Sequence, residues 1–129
     1  MIADWGEHER RLSEHVSVLV GTDTGKYPSG NSLLVRGTRE AIVIDPSVDV
    51  VAKGGAPIAI DAVINSHAHE DHIPGNGLFS HARVHVHDAD LPGVQTLDGL
   101  MDIYGFEGEA RDGFKKVVVE EFNFAPRPD

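Results

Sequence analysis

The chain has 129 residues, 40% of them hydrophobic, with 11 Lys and Arg against 21 Asp and Glu for a net charge of −10, eight His and no Cys. That length holds one domain with one core, the missing cysteine excludes a disulfide framework, and the acidic balance argues against nucleic acid as a partner, because phosphate binding rests on clustered Lys and Arg. No apolar run approaches the roughly 18 residues that span a bilayer, and Met1-Ile2-Ala3-Asp4-Trp5-Gly6-Glu7 is acidic where a secretory leader is basic and then apolar, which points to a cytoplasmic protein with no membrane partner.

The first predicted strand is the β-branched run Val16-Ser17-Val18-Leu19-Val20, and residues 21–30, with three Gly and Pro28, read as a loop that could lie over a site. Ser32-Leu33-Leu34-Val35 and Ala41-Ile42-Val43-Ile44 are separated by five polar or turn-forming residues, which is hairpin spacing. Asp45-Pro46 stops the second of them, and Gly54, Gly55 and Pro57 rule out a long helix over residues 47–60. Ala62-Val63-Ile64 is a short buried strand running into a histidine cluster, and Pro74, Gly75 and Gly77 leave room for only a short helical turn after it. Residues 82–87 alternate like a strand, with Val84 and Val86 on one face and His85 and His87 on the other. Residues 91–106 have helical spacing weakened by Gly93 and Gly99, while residues 110–124 are ambiguous, since Val117-Val118-Val119 favours a strand. Trp5, Phe122 and Phe124 read as packing residues or as surface awaiting a cover. No repeat, linker or low-complexity tract interrupts the chain.

The chemistry concentrates in Asn65-Ser66-His67-Ala68-His69-Glu70-Asp71-His72-Ile73-Pro74-Gly75-Asn76-Gly77. Residues two apart on an extended segment point the same way, so His67 and His69 can grip one ion, and a turn at residues 70–72 brings Asp71 and His72 toward a second. Catalytic zinc takes three protein ligands and keeps a place for a water whose pKa falls to about 7; Asp71 is the candidate catalytic carboxylate that would orient the resulting hydroxide. Iron and manganese accept the same donors. Each ion is short of at least one ligand, for which His81, His85, His87, Asp88 and Asp90 are the in-chain candidates. His85 and His87 equally suit a solvated strand face, and His8 and His15 lie in a charged segment that reads as surface. Gly75-Asn76-Gly77 is too short to be a phosphate cradle.

These residues, with Asn31-Ser32-Leu33-Leu34-Val35, the strand closed by Asp45-Pro46, and Pro74-Gly75-Asn76, resemble the metallo-β-lactamase fold superfamily over approximately residues 16–90. The resemblance implies an α+β fold, half of an αββα sandwich with a mixed sheet and flanking helices, and makes residues 1–129 a single partial domain, the N-terminal part of such a domain. It implies that His67 and His69 are ligands of a first metal, that Asp71 and His72 are ligands of a second, and that Asp45 steadies the ligand loop from behind. In the family the set is completed downstream by further histidines and a bridging aspartate, and no histidine follows His87.

The expected function is therefore a metal-dependent hydrolase using one or two zinc ions, with a hydroxide attacking an ester, thioester, lactone, amide or phosphoester bond of a small-molecule substrate, and incomplete as this chain alone. A homodimer or a separately encoded C-terminal half would supply the missing ligands across an interface. The alternative is a non-catalytic metal-binding or interaction module that retains the His-x-His-x-Asp-His loop. Within the family, a secreted lactamase is disfavoured by the acidic N-terminus and a nuclease by the charge. The loop alone does not name the substrate.

Overall fold

A computed structural model describes residues 2–128. Its centre is a six-stranded sheet whose strand order follows the chain: β1 (Glu9–Arg11), β2 (Val16–Leu19), β3 (Ser32–Arg36), β4 (Ala41–Ile44), β5 (Ala62–Ile64) and β6 (Arg83–His85). β1 to β4 are antiparallel, with the predicted β3–β4 hairpin closed by a Gly37 N–H to Glu40 C=O bond of 2.7 Å. β4, β5 and β6 are parallel, so each of the last two joins needs a crossover connection. The first passes through α1 (Val48–Lys53), which Ser47 caps by accepting the Asp49 N–H and which Gly54 ends in the left-handed region at φ 83°. The glycine pair thus stops the helix after six residues, as the sequence implied. The second crossover carries the histidine loop and the 3-10 turn Pro74–Phe79. Six mixed strands with flanking helices make the α+β class expected of half an αββα sandwich.

Strand alternation divides the sheet into two faces. Leu19, Leu34, Ala41, Val43 and Val63 point into the main core, where they meet Trp5, Val50, Ile60, Phe79 and Ala82. Trp5 anchors the N-terminal segment there by donating its indole N–H to Gly55 C=O at 2.9 Å. The opposite face carries Val16, Val18, Leu33, Val35, Ile42, Ile44, Ala62 and Ile64, which lie beside one another in register across four strands. These eight are half-buried or exposed and belong to neither hydrophobic core. The sheet therefore has one covered face and one bare apolar face.

At the sheet's outer edge the inward-facing Ser17 donates to Glu9 at 2.8 Å and accepts from Arg36 at 2.9 Å, and Arg36 pairs with Glu9 at 2.6 Å. Burial alone would raise the Glu9 carboxyl, but the Ser17 and Arg36 hydrogen bonds and the Arg36 charge outweigh it and hold the group below its ordinary value. A carboxyl lowered in the folded state contributes stability above the unfolded pKa, and that contribution is lost as pH falls through the folded one. Urea unfolding from pH 6 down to pH 3 is thus expected to show a shallower loss of stability in Glu9→Gln than in the parent chain; equal slopes would contradict the arrangement.

A second core sits beside the sheet, formed by Ala68, Ile73, Val94, Leu100, Met101 and Val118. It is built by α2 (Leu91–Gln95), α3 (Leu97–Tyr104) and α4 (Gly108–Glu121). The helical spacing at residues 91–106 resolves into two helices rather than one, because Thr96 is extended and its hydroxyl accepts the Gly99 N–H at 2.9 Å, capping α3 anew. Gly99 is required at that bend: a Cβ there would lie 2.0 Å from Pro92 O. The ambiguous segment is helical. Its valine triplet is carried on α4 with Val118 buried and Val119 half in solvent, so packing of a single face overrides β-propensity. Beyond α4 the tail returns to the sheet, where the buried Arg127 donates to the carbonyls of Asn76, Phe79 and Ala82.

Candidate metal centre

The histidine loop leaves the carboxyl end of β5 beside the carboxyl end of β4, the position where α/β sheets place their ligands. Its two ends are tied together by Asn65 and Asn76, buried amides that exchange hydrogen bonds of 3.0 and 2.9 Å. Gly75 lets the loop pass against Pro46, since a Cβ there would sit 2.6 Å from the proline ring and the Gly75 N–H bonds Pro46 C=O at 2.8 Å. A turn closes the loop with His72 N–H on His69 C=O at 3.0 Å. Three imidazoles meet as a result: the His67 ring centroid lies 4.6 Å from that of His69 and 4.2 Å from that of His72. Asp71 Oδ1 is 3.5 Å from His72 Nε2.

Asp45 organises this group from the end of β4, held at φ 54°, a region that Asp tolerates better than most residues. Its carboxylate accepts the Ser66 N–H at 2.7 Å, the Ser66 hydroxyl at 2.6 Å and His72 Nδ1–H at 3.0 Å. An ionised carboxylate only accepts, and Asp45 at 3.0 Å from Nδ1 is closer than Asp71 at 3.5 Å from Nε2, so a neutral His72 carries its proton on Nδ1 and its lone pair on Nε2. Ser66 has one hydroxyl hydrogen, already given to Asp45. The 2.9 Å contact between Ser66 Oγ and His67 Nδ1 is therefore donated by His67, and Nε2 of that ring is bare as well. One aspartate, directly and through one serine, thus prepares two imidazole lone pairs.

The same contacts shift the charges of the group. Burial would raise Asp45, but the His72 and Ser66 hydrogen bonds hold it below the usual carboxylate range. The Asp45 hydrogen bond raises His72 against the effect of burial, with Asp71 adding to it. Burial, helped by positive charge on His72 and His69, lowers His67.

Residues outside the motif shape it too. Glu70 accepts hydrogen bonds from the hydroxyls of Tyr104 at 2.7 Å and Tyr27 at 2.9 Å. Burial would raise its carboxyl, but the Tyr104 bond leads the contacts that lower it. Burial and the Glu70 contact push Tyr27 up to about 12 and raise Tyr104 further. Tyr27 brings the loop at residues 21–31 against the site, where a Cβ on Gly30 would lie 3.6 Å from Asp71 C=O. The other candidate donors are engaged elsewhere or exposed. His81 bonds Ile60 C=O at 2.8 Å, His87 Nδ1 accepts the Ala89 N–H at 3.0 Å, and Asp90 accepts the Ala68 N–H at 3.0 Å. His85, Asp88, His8 and His15 are exposed. Ser66, Tyr27 and Tyr104 escaped the sequence reading: the first abuts the motif with no spacing signal of its own, and the others reach it from 43 and 34 residues away.

The donor chemistry suits zinc, iron or manganese, and the fixed Nδ1 protons are what a ligating histidine needs. The count does not close: among the described residues no group of three or more His, Asp or Glu is arranged to hold an ion. A family model for the metallo-beta-lactamase superfamily matches residues 26–104, a span from the loop before β3 to the end of α3 that includes Asp45 and the whole histidine loop. No curated protein matches the chain. No helix among the described residues is long and apolar enough to cross a membrane.

Proposed function

The chain belongs to the metallo-β-lactamase superfamily, and from that premise we propose that it carries half of a metallohydrolase centre for a small-molecule ester, thioester, lactone, amide or phosphoester. The observation that carries this reading is that His67 and His72 are both anchored through Nδ1, by Ser66 and Asp45, which leaves Nε2 of each turned to an ion, that of His72 beside Asp71. His67 and His69 would hold one ion, and Asp71 and His72 a second. Zinc, when bound, supplies a Lewis acid that polarises the scissile bond and acidifies the attacking water. Asp71 would orient that water and take its proton, being the carboxylate at the mouth of the imidazole group. Asp45 keeps the proton of His72 on Nδ1 throughout.

In this reading the remaining ligands come from polypeptide outside these 129 residues, whether a C-terminal half or another copy of the chain, laid on the apolar face of β2 to β5. Eight aliphatic residues adjoin one another there, Leu33 exposed and the other seven half-buried, which makes a continuous apolar patch rather than scattered single residues. Native mass spectrometry after loading with zinc, iron or manganese reads both points at once. One or two ions per site in an assembly larger than one chain, with hydrolysis in an esterase and phosphoesterase screen, is the expected result. A monomer that retains no metal would overturn the proposal. The unclosed donor count favours a second reading, a metal-binding or interaction module without turnover; metal retained with no hydrolysis of any substrate class would select it.

A further inference from the structure

The three imidazoles are not held in the same way. His67 and His72 are fixed through Nδ1, by Ser66 and Asp45 respectively, whereas the His69 ring has no hydrogen-bond partner among the described residues. Its partner is a face. Tyr104, at the end of α3, stacks on it with centroids 5.2 Å and planes 22° apart. The tyrosine is itself immobilised, with Phe114 edge-on at 5.2 Å, Phe106 at 5.5 Å, and its hydroxyl both donating to Glu70 Oε1 and accepting the Glu70 backbone N–H at 2.8 Å. Tyr27 takes the other Glu70 oxygen. Glu70 stands between His69 and Asp71, where a free carboxylate would compete as a donor.

We propose that Tyr104 is a positioning residue of the centre: its ring sets the plane of the His69 imidazole, and its hydroxyl, together with that of Tyr27, keeps the Glu70 carboxylate out of the ligand set. This gives the helical core a task at the site, since α3 and α4 hold the tyrosine that aims the histidine. The zinc part of the inference rests on the metallohydrolase reading; the ring-setting part does not.

The test uses the full chain, first without metal. The His69 ring protons are expected upfield of free imidazole in the NMR spectrum, shifted by the Tyr104 ring current, and Tyr104→Leu should return them downfield while the sheet amides stay in place. Zinc affinity, read by competition with a chromophoric chelator, should then fall by about 10- to 100-fold, the usual effect of losing a group that orients a ligand. Tyr104→Phe should keep the His69 shift, move the Glu70 amide resonance and weaken zinc binding less than leucine does. His69 protons unmoved in a folded Tyr104→Leu chain, or an unchanged zinc affinity once they have moved, would overturn the assignment. If the leucine variant unfolds, the phenylalanine variant decides: an unmoved Glu70 amide with unchanged zinc affinity overturns it. A parent chain that has the His69 shift but takes up no zinc would leave the ring setting in place and defeat the metallohydrolase reading instead.

Discussion

Asp45→Asn is expected to leave the sheet folded while moving the proton of His72 from Nδ1 to Nε2 and weakening zinc binding by about 10- to 100-fold. Asparagine tolerates the left-handed backbone that residue 45 adopts at φ 54° and has nearly the shape of aspartate. It differs in offering an N–H where the carboxylate only accepted. The amide oxygen can still take the Ser66 N–H, which leaves the NH2 group facing His72 Nδ1 at the place where Asp45 Oδ2 stood 3.0 Å away. A donor there makes Nδ1 the acceptor, so the ring proton moves to Nε2 and occupies the lone pair an ion would need. The same substitution weakens Ser66 as an acceptor for His67, because its hydroxyl loses its charged partner. Nitrogen-15 NMR of the imidazoles reports the tautomer directly, and chelator competition the affinity. An unchanged tautomer would remove Asp45 from the role assigned to it.

The second large effect concerns stability. Arg127→Ala is expected to destabilise the chain by about 3 kcal/mol, the order of one or two buried hydrogen bonds to a charged group, measured as a fall in urea midpoint at constant slope. Arg127 is 7% exposed, and its guanidinium donates to three backbone carbonyls, those of Asn76, Phe79 and Ala82, of which Phe79 C=O also takes the Ala82 N–H. Removing it takes a charged donor from these carbonyls in a place with little water, where one left unsatisfied costs about 1–3 kcal/mol. Because Asn76 is the partner of Asn65, the loss should also loosen the foot of the histidine loop. Arg127→Lys should recover only part of the stability, since one ammonium cannot span three acceptors as a planar fork does. A loss below about 1 kcal/mol, the size of an exposed interaction, would mean that the tail is dispensable.

Sequence pattern foretold the parts of the fold that depend on local apolar runs and on turn residues. Ser32–Arg36 and Ala41–Ile44 are short apolar runs on either side of a four-residue turn, and Gly54 with Gly55 limits α1, so strands and breaks fall where composition and punctuation put them. The helical region was less legible. A threonine can lie inside a helix or cap one, and only the approach of Gly99 to Pro92 decides for two helices. Likewise Val117 to Val119 could not announce a helix, because what makes it one is the burial of Val118 alone against the second core. At the site, the histidines and Asp71 were visible as a cluster, and Asp45 through the family resemblance. Tyr27, Tyr104 and Arg127 were not, since each acts through a contact made across many residues that no local spacing records.

The strand order has a consequence for how the protein comes to be folded during synthesis. Every strand neighbours the one made just before it, so each has a template waiting as it emerges from the ribosome and no segment must be threaded between two already paired. The antiparallel part, β1 to β4, asks only for short-range closures, which form early. The histidine loop follows a different clock. Its first residue bonds back to β6 through the Asn65 N–H to His85 C=O contact of 2.9 Å, and its foot at Asn76 is fastened by Arg127, 51 residues further along the chain. The imidazoles can therefore be aimed only once the residues through Arg127 have been made, and an ion offered to the nascent protein earlier would find ligands without a geometry.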